Sequence, residues 1–156
     1  MKLSEELGFK TDFEDLFHEA ILNIYHTAAI ARKRSTDFFA AHGITDVQFN
    51  LLMLLRYQSD ADGAMKQVEL SRMMLVNRAS VTAIIDRMER MGFLTRAAVP
   101  GDRRSKYVRL TPKSLKLLGA VERRYLAEIA AVMGVLTKAE LKKLIAMLER
   151  IRERMR

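Results

Sequence analysis

The segment from Asp12 to His42 constrains the fold most, because small and apolar side chains recur along it in steps of four and three. Such spacing indicates one helix with a stripe that packs against another helix. We expect Asp12 to cap this helix and Gly43 to end it. At 1.5 Å per residue the helix would be about 45 Å long, more than a small single chain easily covers. The segment therefore predicts burial against a partner. The stripe consists of Phe17, Ile21, Ile24, Ala28, Ala31, Ser35 and Phe38.

Two further helices are predicted towards the C-terminal end of the chain. The first runs from about Pro112 to Val135, with Thr111 as N-cap and proline in the first helical position. The second follows Thr137, which forms a capping box with Glu140 and starts another three-four apolar pattern. The apolar residues of that pattern are Leu141, Leu144, Leu148, Ile151 and Met155. The polar side mixes Glu with Arg, which favours packing against a partner over binding to an anionic membrane.

Several classes of function are disfavoured by what the sequence lacks. No cysteine is present, which excludes a disulfide framework and thiolate chemistry. There is no apolar run near the roughly 20 residues of a membrane span and no signal-peptide pattern, so we expect a soluble cytoplasmic protein. No nucleophile elbow, phosphate-cradling glycine loop or paired-acid arrangement appears, and we expect neither an enzyme nor a bound cofactor. His18, His26 and His42 lack metal-ligand spacing, so no metal site is expected.

The positive charge is concentrated in the middle of the chain. The whole chain has a net charge of +8, and the region from Lys66 to Lys113 carries 11 basic and 4 acidic residues. The residues before Lys66, by contrast, include 6 basic and 10 acidic side chains. A region of this charge is typical of a surface that binds polyanions, because each neutralised phosphate releases condensed counterions. A solvated basic surface without a ligand is the alternative interpretation.

A pair of short helices is predicted in this basic region, after an apolar core helix from Asp46 to Tyr57. The pair runs from about Lys66 to Met74 and from Arg78 to Met91, and Gly92 marks the end of the second helix. The two helices are expected to cross over a shared core. Its residues would be Val68, Leu70, Met73 and Met74 on the first helix and Val81, Ile84, Ile85 and Met88 on the second.

The second helix of this pair has a polar face suited to the major groove of DNA. Arginine side chains seek phosphates, and small hydroxyl donors can reach the edges of the bases. The candidate DNA-binding residues are Asn77, Arg78, Ser80, Thr82 and Arg87. Asn77 also occupies the expected N-cap position of the helix. An ordinary helical hairpin with a solvated face is the alternative.

A β-hairpin is predicted next, with strands from Leu94 to Val99 and from Ser105 to Leu110. The sequence VPGD between them places proline second and glycine third, as a type II turn prefers. Basic residues follow at the tip and along the returning strand, namely Arg103, Arg104, Lys106 and Arg109. An arginine on such a hairpin can enter the minor groove, while Asp102 is expected to pair with a tip arginine and shape the tip. The sequence leaves open which of the two tip arginines enters the minor groove and which pairs with Asp102.

A recognition helix followed by a charged hairpin is the arrangement of a winged helix-turn-helix. The stretches ITDVQFNLLMLL, LSRMMLVNRASVTAIIDRMERMGFLTR and GDRRSKYVRLTPKS together resemble the multiple antibiotic resistance regulator (MarR) family of bacterial transcription factors. The resemblance runs from about Ile44 to Ser114, and GDRR at the wing with RLT at the end of the hairpin makes it specific. Leu75 departs from the glycine often found there, which leaves the turn geometry open.

This resemblance implies a mainly α fold with a small β-hairpin wing, and a homodimer. Residues 46–111 would form the DNA-binding lobe, and residues 1–45 with 112–156 the helical dimerisation region. A two-fold dimer presents two recognition helices, so we expect a palindromic operator with half-sites about one helical turn apart, and a repressor is the favoured role. The alternative is a helical protein-interaction module with an incidental basic hairpin, and the salt dependence of DNA binding separates the two.

The resemblance also implies a small-molecule effector. Similar regulators often bind aromatic or phenolic acids between the dimerisation arm and the DNA-binding lobe. The candidate lining residues in this chain are His18, Tyr25, His26, Phe49 and Met53. For Phe49 and Met53, an ordinary role in the core is supported at least as well as a role in binding an effector. Such a ligand acts only if it binds one spacing of the two recognition helices better than the other.

Overall fold

The computed structural model of the chain describes residues 2–60, 63–74, 78–99 and 101–156. The helices are α1 (Leu3–Glu6), α2 (Leu16–Ala40), α3 (Asp46–Gln58), α4 (Gln67–Met73), α5 (Arg78–Arg90), α6 (Pro112–Met133) and α7 (Lys138–Arg154). The strands are β1 (Ala64–Lys66), β2 (Leu94–Val99) and β3 (Asp102–Leu110). Two compact units divide the chain within α3, between Leu51 and Leu52. The mainly α architecture with a small antiparallel sheet confirms the predicted fold class.

The N-cap of α2 is Asp15, so the prediction of Asp12 was wrong. The Asp15 carboxylate accepts hydrogen bonds from the amides of the second and third helical residues, at 2.6 and 3.1 Å. Asp12 is engaged elsewhere, because it accepts a hydrogen bond from the Ser4 hydroxyl at 2.7 Å and pairs with Lys2 at 2.6 Å. The hydrogen bond from Lys2 lowers the pKa of the Asp12 carboxyl below its ordinary value. These contacts tie the chain before α2 to α1, which the sequence pattern did not predict.

The core of the first unit forms around Phe39, near the end of α2. The Phe39 ring is buried, and its centroid lies 4.6 Å from that of Phe49 in α3. The predicted stripe of α2 is much less buried than Phe39. Its members are half-buried or exposed, and Phe17 is 88% exposed. An apolar surface of this kind suits burial against a partner, which stays a prediction.

In the second unit, α4 and α5 share a core as predicted, with two exceptions. The fully buried residues are Leu70, Val81, Ile85 and Met88. Val68 and Met73 were predicted to face inward, and each is 45% exposed. The helix α4 ends at Met73, and the backbone of Met74 is extended, so Met74 turns inward in place of Met73. Val68 lies in the first turn of α4, where it lines a surface cleft.

The hairpin of β2 and β3 confirms the predicted wing. Leu94 pairs with Leu110 at its base, and β3 begins at Asp102, earlier than the predicted Ser105. Gly101 has a φ of 78°, the left-handed conformation that the third position of a type II turn requires and that glycine adopts without strain. The order of strands in the sheet is β1–β3–β2, with both pairs antiparallel.

Strand β1 was not predicted, because this segment was interpreted as a turn leading into a helix. Ala64 pairs with Arg109 and Lys66 with Tyr107. A strand this short has no alternation to detect, and its pairing partner lies far along the chain. The pairing places Lys66 beside the wing.

The predicted N-caps of α6 and α7 are confirmed. Thr111 accepts a hydrogen bond from the Ser114 amide, and Pro112 is the first residue of α6. The Glu140 carboxylate accepts a hydrogen bond from the Thr137 amide at 2.8 Å, which lowers the pKa of Glu140. Across the described ranges, the helices are all too short or too polar to cross a membrane.

Candidate nucleic-acid interface

The helix α5 has one buried face and one polar face. Val81, Ile85 and Met88 recur at helical spacing and are fully buried, so they pack α5 against the rest of the second unit. Thr82 and Arg87 are exposed on the remaining surface. The sequence therefore folds locally into a helix that presents hydroxyl and guanidinium groups to solvent.

The two acidic side chains of α5, Asp86 and Glu89, are held by one arginine of β2. Arg96 Nη1 lies 2.6 Å from Asp86 Oδ1, and Arg96 Nε donates to Glu89 Oε2 at 2.9 Å. Chiefly the hydrogen bond to Glu89, with a further one to Asp86, raises the pKa of Arg96 above its ordinary value. These pairs neutralise the carboxylates next to the exposed basic groups and fasten the wing to α5.

The C-terminal end of α5 is fastened to the start of α6. Thr111 Oγ1 donates to the carbonyl of Gly92 at 2.8 Å, and Lys113 Nζ donates to the carbonyl of Met91 at 2.7 Å. The Lys113 ammonium also lies 4.6 Å from the centroid of the Phe93 ring. A lysine at this end of a helix is favourable because the last carbonyls lack helical partners and carry partial negative charge.

A surface cleft of about 300 Å³ lies where α4, α5 and the wing meet. Its lining residues are Lys66, Gln67, Val68, Ser71, Thr82, Ser105 and Lys106. The Gln67 side-chain amide donates to Thr82 Oγ1 at 3.2 Å across the cleft. Lys66 and Gln67 were not among the predicted site residues, because their proximity to the wing depends on the β1–β3 pairing.

Apart from Asn77, the predicted DNA-binding residues belong to α5 and the wing. Thr82, Arg87 and Lys106 are exposed, and Ser80 is half-buried. Thr82 and Lys106 line the same cleft, so the fold brings together one residue from each predicted group. Asn77 lies outside the described residues. The structure describes only the backbone of Arg78, Asp102, Arg103 and Arg104.

Two of the predicted effector-binding residues, His18 and His26, have partners within the first unit. The His18 ring lies edge-on to that of Phe13, with 5.9 Å between centroids. His26 Nε2 lies 3.1 Å from Glu6 Oε2. Tyr25 is exposed and lines an open groove of about 630 Å³ along α2. The other lining residues of this groove are Ala28, Ala29, Arg32, Lys33, Thr36 and Asp37.

The two predicted effector-binding residues of α3 differ in burial. Phe49 is 2% exposed and packs on Phe39, which favours a core role for it. Met53 is half-buried. Within the described residues, no three histidine, aspartate or glutamate side chains are grouped so that they could hold a metal ion.

Comparison with known proteins identifies the family. A sequence model of the MarR family matches residues 44–106. The uncharacterized HTH-type transcriptional regulator YkoM of Bacillus subtilis is 30% identical over 136 residues, which are 85% of this chain and 86% of that protein. Two solved structures, each 19% identical to this chain, share its fold. Sco3205, a MarR family transcriptional regulator from Streptomyces coelicolor in complex with DNA, has a TM-score of 0.76 over 94% of this chain and 92% of its own. The organohalide-sensing regulator RdhR-CbdbA1625 in its 2,4-dichlorophenol bound form has a TM-score of 0.79 over 94% and 87%.

The family match covers α4, α5 and most of the wing, and the similarity to YkoM extends over most of the chain. These are the elements that combine a solvent-facing recognition helix with a basic hairpin. The protein belongs to the MarR family of DNA-binding transcriptional regulators, and α4, α5, β2 and β3 form its winged helix-turn-helix.

Proposed function

We propose that the protein is a homodimeric, cytoplasmic repressor of transcription that binds a palindromic operator. The observation that carries this proposal is the charge arrangement of α5. Arg96 holds the carboxylates of α5, while Thr82 and Arg87 are exposed. A helix with such a face, next to a basic wing, is suited to enter the major groove.

We assign the major groove to α5 and the minor groove to the wing. The proposed α5 contacts are Asn77, Arg78, Ser80, Thr82 and Arg87. The proposed wing contacts are Arg103, Arg104 and Lys106, with Asp102 shaping the tip. Phosphate contacts fix the register of the protein on the duplex, and contacts to base edges set its sequence preference.

The dimer is proposed to form through residues 1–45 and 112–156, leaving residues 46–111 as the DNA-binding lobe. Large apolar side chains exposed on α6 and α7 support this division, because a solvated helix rarely keeps so many. They include Leu126, Ile129, Val132, Ile145 and Ile151. A two-fold dimer would place its recognition helices on half-sites about one helical turn apart.

Selection from a random duplex library at two salt concentrations tests this function. We expect enrichment of a palindrome with half-sites about ten base pairs apart, and an affinity that falls steeply with salt. Enrichment of no sequence would favour the alternative, a helical protein-interaction module with an incidental basic hairpin. Unchanged operator affinity in both Arg78→Ala and Arg104→Ala would contradict the assigned reading surface.

We further propose that a small aromatic or phenolic molecule releases the operator. The similar regulator RdhR-CbdbA1625 has a 2,4-dichlorophenol bound form, which supports this class of ligand. Exposed Tyr25 and the partly exposed His26 offer an aromatic and a polar group for such a molecule. Operator release by a panel of phenolic acids, compared between the wild type and His26→Ala, tests the proposal. A release that is identical in both would exclude His26 from the site.

A further inference from the structure

The cleft between α4, α5 and the wing has the chemistry of an anion site. Lys66, at the end of β1, and Lys106, in β3, both line it, and each side chain carries an ammonium group. None of the described residues that line the cleft is acidic. We propose that this cleft binds one phosphodiester of the DNA backbone, an inference that rests on the proposed DNA-binding function.

The tertiary structure brings the two lysines together. Lys66 pairs with Tyr107 in the β1–β3 ladder, so it lies beside the neighbour of Lys106 in sequence. Lys66 is half-buried and Lys106 is exposed. A lysine ammonium acts as a compact point charge with three donors, and charge-assisted hydrogen bonds to phosphate are stronger than neutral ones. Both lysines line the cleft, so each can donate to a phosphate oxygen held there.

Gln67 sets the hydrogen-bonding direction of Thr82. The Thr82 hydroxyl oxygen accepts the hydrogen bond from the Gln67 amide at 3.2 Å, which leaves the hydroxyl hydrogen to be donated. A phosphate oxygen in the cleft is an acceptor for that hydrogen. We therefore assign Thr82 a hydrogen bond to a backbone phosphate. Ser80 is then the hydroxyl side chain of α5 assigned to contact a base edge.

Gln67 is a positioning residue, because it acts on DNA through Thr82. Its own backbone carbonyl accepts a hydrogen bond from the Ser71 hydroxyl at 2.8 Å, within the cleft wall. The first turn of α4 is therefore linked both to α5 and to the rest of α4. This linkage fixes the Thr82 donor before DNA arrives.

Lysine substitutions test the site on the duplex selected by the wild type. Lys66→Ala and Lys106→Ala are each expected to lower affinity about tenfold, as removal of a charge-assisted bond implies. The double variant Lys66→Ala/Lys106→Ala should also reduce the log-log salt slope by about 0.9, because both lysines are proposed to neutralise the same phosphate. Lys142→Ala removes the same charge from an exposed position on α7 and is expected to leave affinity and slope near those of the wild type.

Two further experiments identify which phosphate of the DNA backbone binds in the cleft and test the role of Thr82. Methylphosphonate replacement at one backbone position should weaken the wild type but not further weaken the Lys66→Ala/Lys106→Ala double variant. Thr82→Val should weaken binding to all sequences equally and leave the selected palindrome unchanged. Thermal melts of each variant check that the fold is retained.

The outcomes separate this inference from the function on which it rests. A wild type that binds no duplex would overturn both proposals. A wild type that binds, with cleft variants indistinguishable from Lys142→Ala, would overturn the cleft alone. A changed palindrome for Thr82→Val would return Thr82 to base reading and overturn its backbone role.

Discussion

Arg96 pairs with both acidic side chains of α5, the helix proposed to enter the major groove. Its guanidinium pairs with Asp86 and Glu89, which are the only carboxylates in the α5 sequence. An unpaired carboxylate near the exposed Arg87 would oppose the approach of phosphate. The side chain is also largely covered, at 26% exposure, so its pairs are less screened by solvent than those at an open surface.

Arg96→Met keeps the aliphatic stem and removes both ion pairs. We expect the free energy of unfolding to fall by about 1 kcal/mol, a value between those of exposed and buried charged pairs. Duplex affinity should fall as well, because two carboxylates on α5 lose their counter-charge. Urea denaturation and duplex binding measure the two effects. Arg87→Met serves as the stability control, since Arg87 is exposed and should change unfolding little.

The acidic partners provide a rescue of this variant. Adding Asp86→Asn and Glu89→Gln to Arg96→Met removes the uncompensated charges, and we expect most of the lost duplex affinity to return. Failure of this rescue would show that Arg96 acts by holding the wing in place rather than by neutralising α5.

At the scale of elements, α5 is attached both to the wing and to α6. Arg96 connects its last turns to β2, while Thr111 and Lys113 bond to the carbonyls that follow its end. Gly92 makes this junction possible, because its φ of 75° reverses the chain directly after the helix. These contacts join α5 to the start of α6 at one junction.

Substitution of two glycines, Gly92 and Gly119, measures how much the backbone conformation at this junction contributes to the free energy of unfolding. Gly92→Ala should lower the free energy of unfolding by about 1 kcal/mol, because alanine is disfavoured at positive φ. Its added Cβ would meet Lys113 Cδ at 3.9 Å, an ordinary contact, so the cost is conformational rather than steric. Gly119→Ala lies inside α6 with open space around it, and should raise stability by about 0.5–1 kcal/mol. Equal effects of the two substitutions in chemical denaturation would contradict this explanation.

At the scale of the whole molecule, each unit leaves large apolar side chains exposed. Leu16 and Phe17 do so on α2, and Leu126, Ile145 and Ile151 do so on α6 and α7. The segments proposed for dimerisation thus carry apolar surface, whereas the region from Lys66 to Lys113 carries the excess of basic residues. The two properties fit a dimer that presents two basic lobes to one duplex.

Substitutions on α7 test the dimer. Ile151→Glu places a charge in the predicted apolar stripe and should shift the protein towards monomer, because an unpaired charge in an interface is costly to desolvate. Ala146→Glu puts the same charge on an exposed position outside the stripe and should leave the oligomeric state unchanged. Sedimentation at micromolar concentration distinguishes the species. A monomeric wild type would contradict the dimer, and so would an Ile151→Glu variant that stays dimeric.

The sequence alone determined the helices from α2 onwards, the wing and DNA as the class of partner, but not α1. The caps Thr111 and Thr137 were predicted because a capping side chain accepts a hydrogen bond from an amide in the first turn of its own helix, so the signal is local. The hairpin could be predicted from VPGD, because the type of a turn depends on the residues within the turn. The cap of α2 was placed wrongly at Asp12, because the local pattern does not encode the contacts of Asp12 with Ser4 and Lys2.

Only the tertiary structure decided which distant residues meet. Strand β1 exists because β3 offers it a ladder partner, and no local pattern encodes three residues of strand. The same pairing places Lys66 beside the wing, and the next residue, Gln67, bonds to Thr82 in the cleft. The exposure of Met73 was likewise set by where α4 ends, and Val68 lines the cleft from the first turn of that helix. Local signals act within a turn of the chain, whereas a binding site is assembled by packing between elements far apart in sequence.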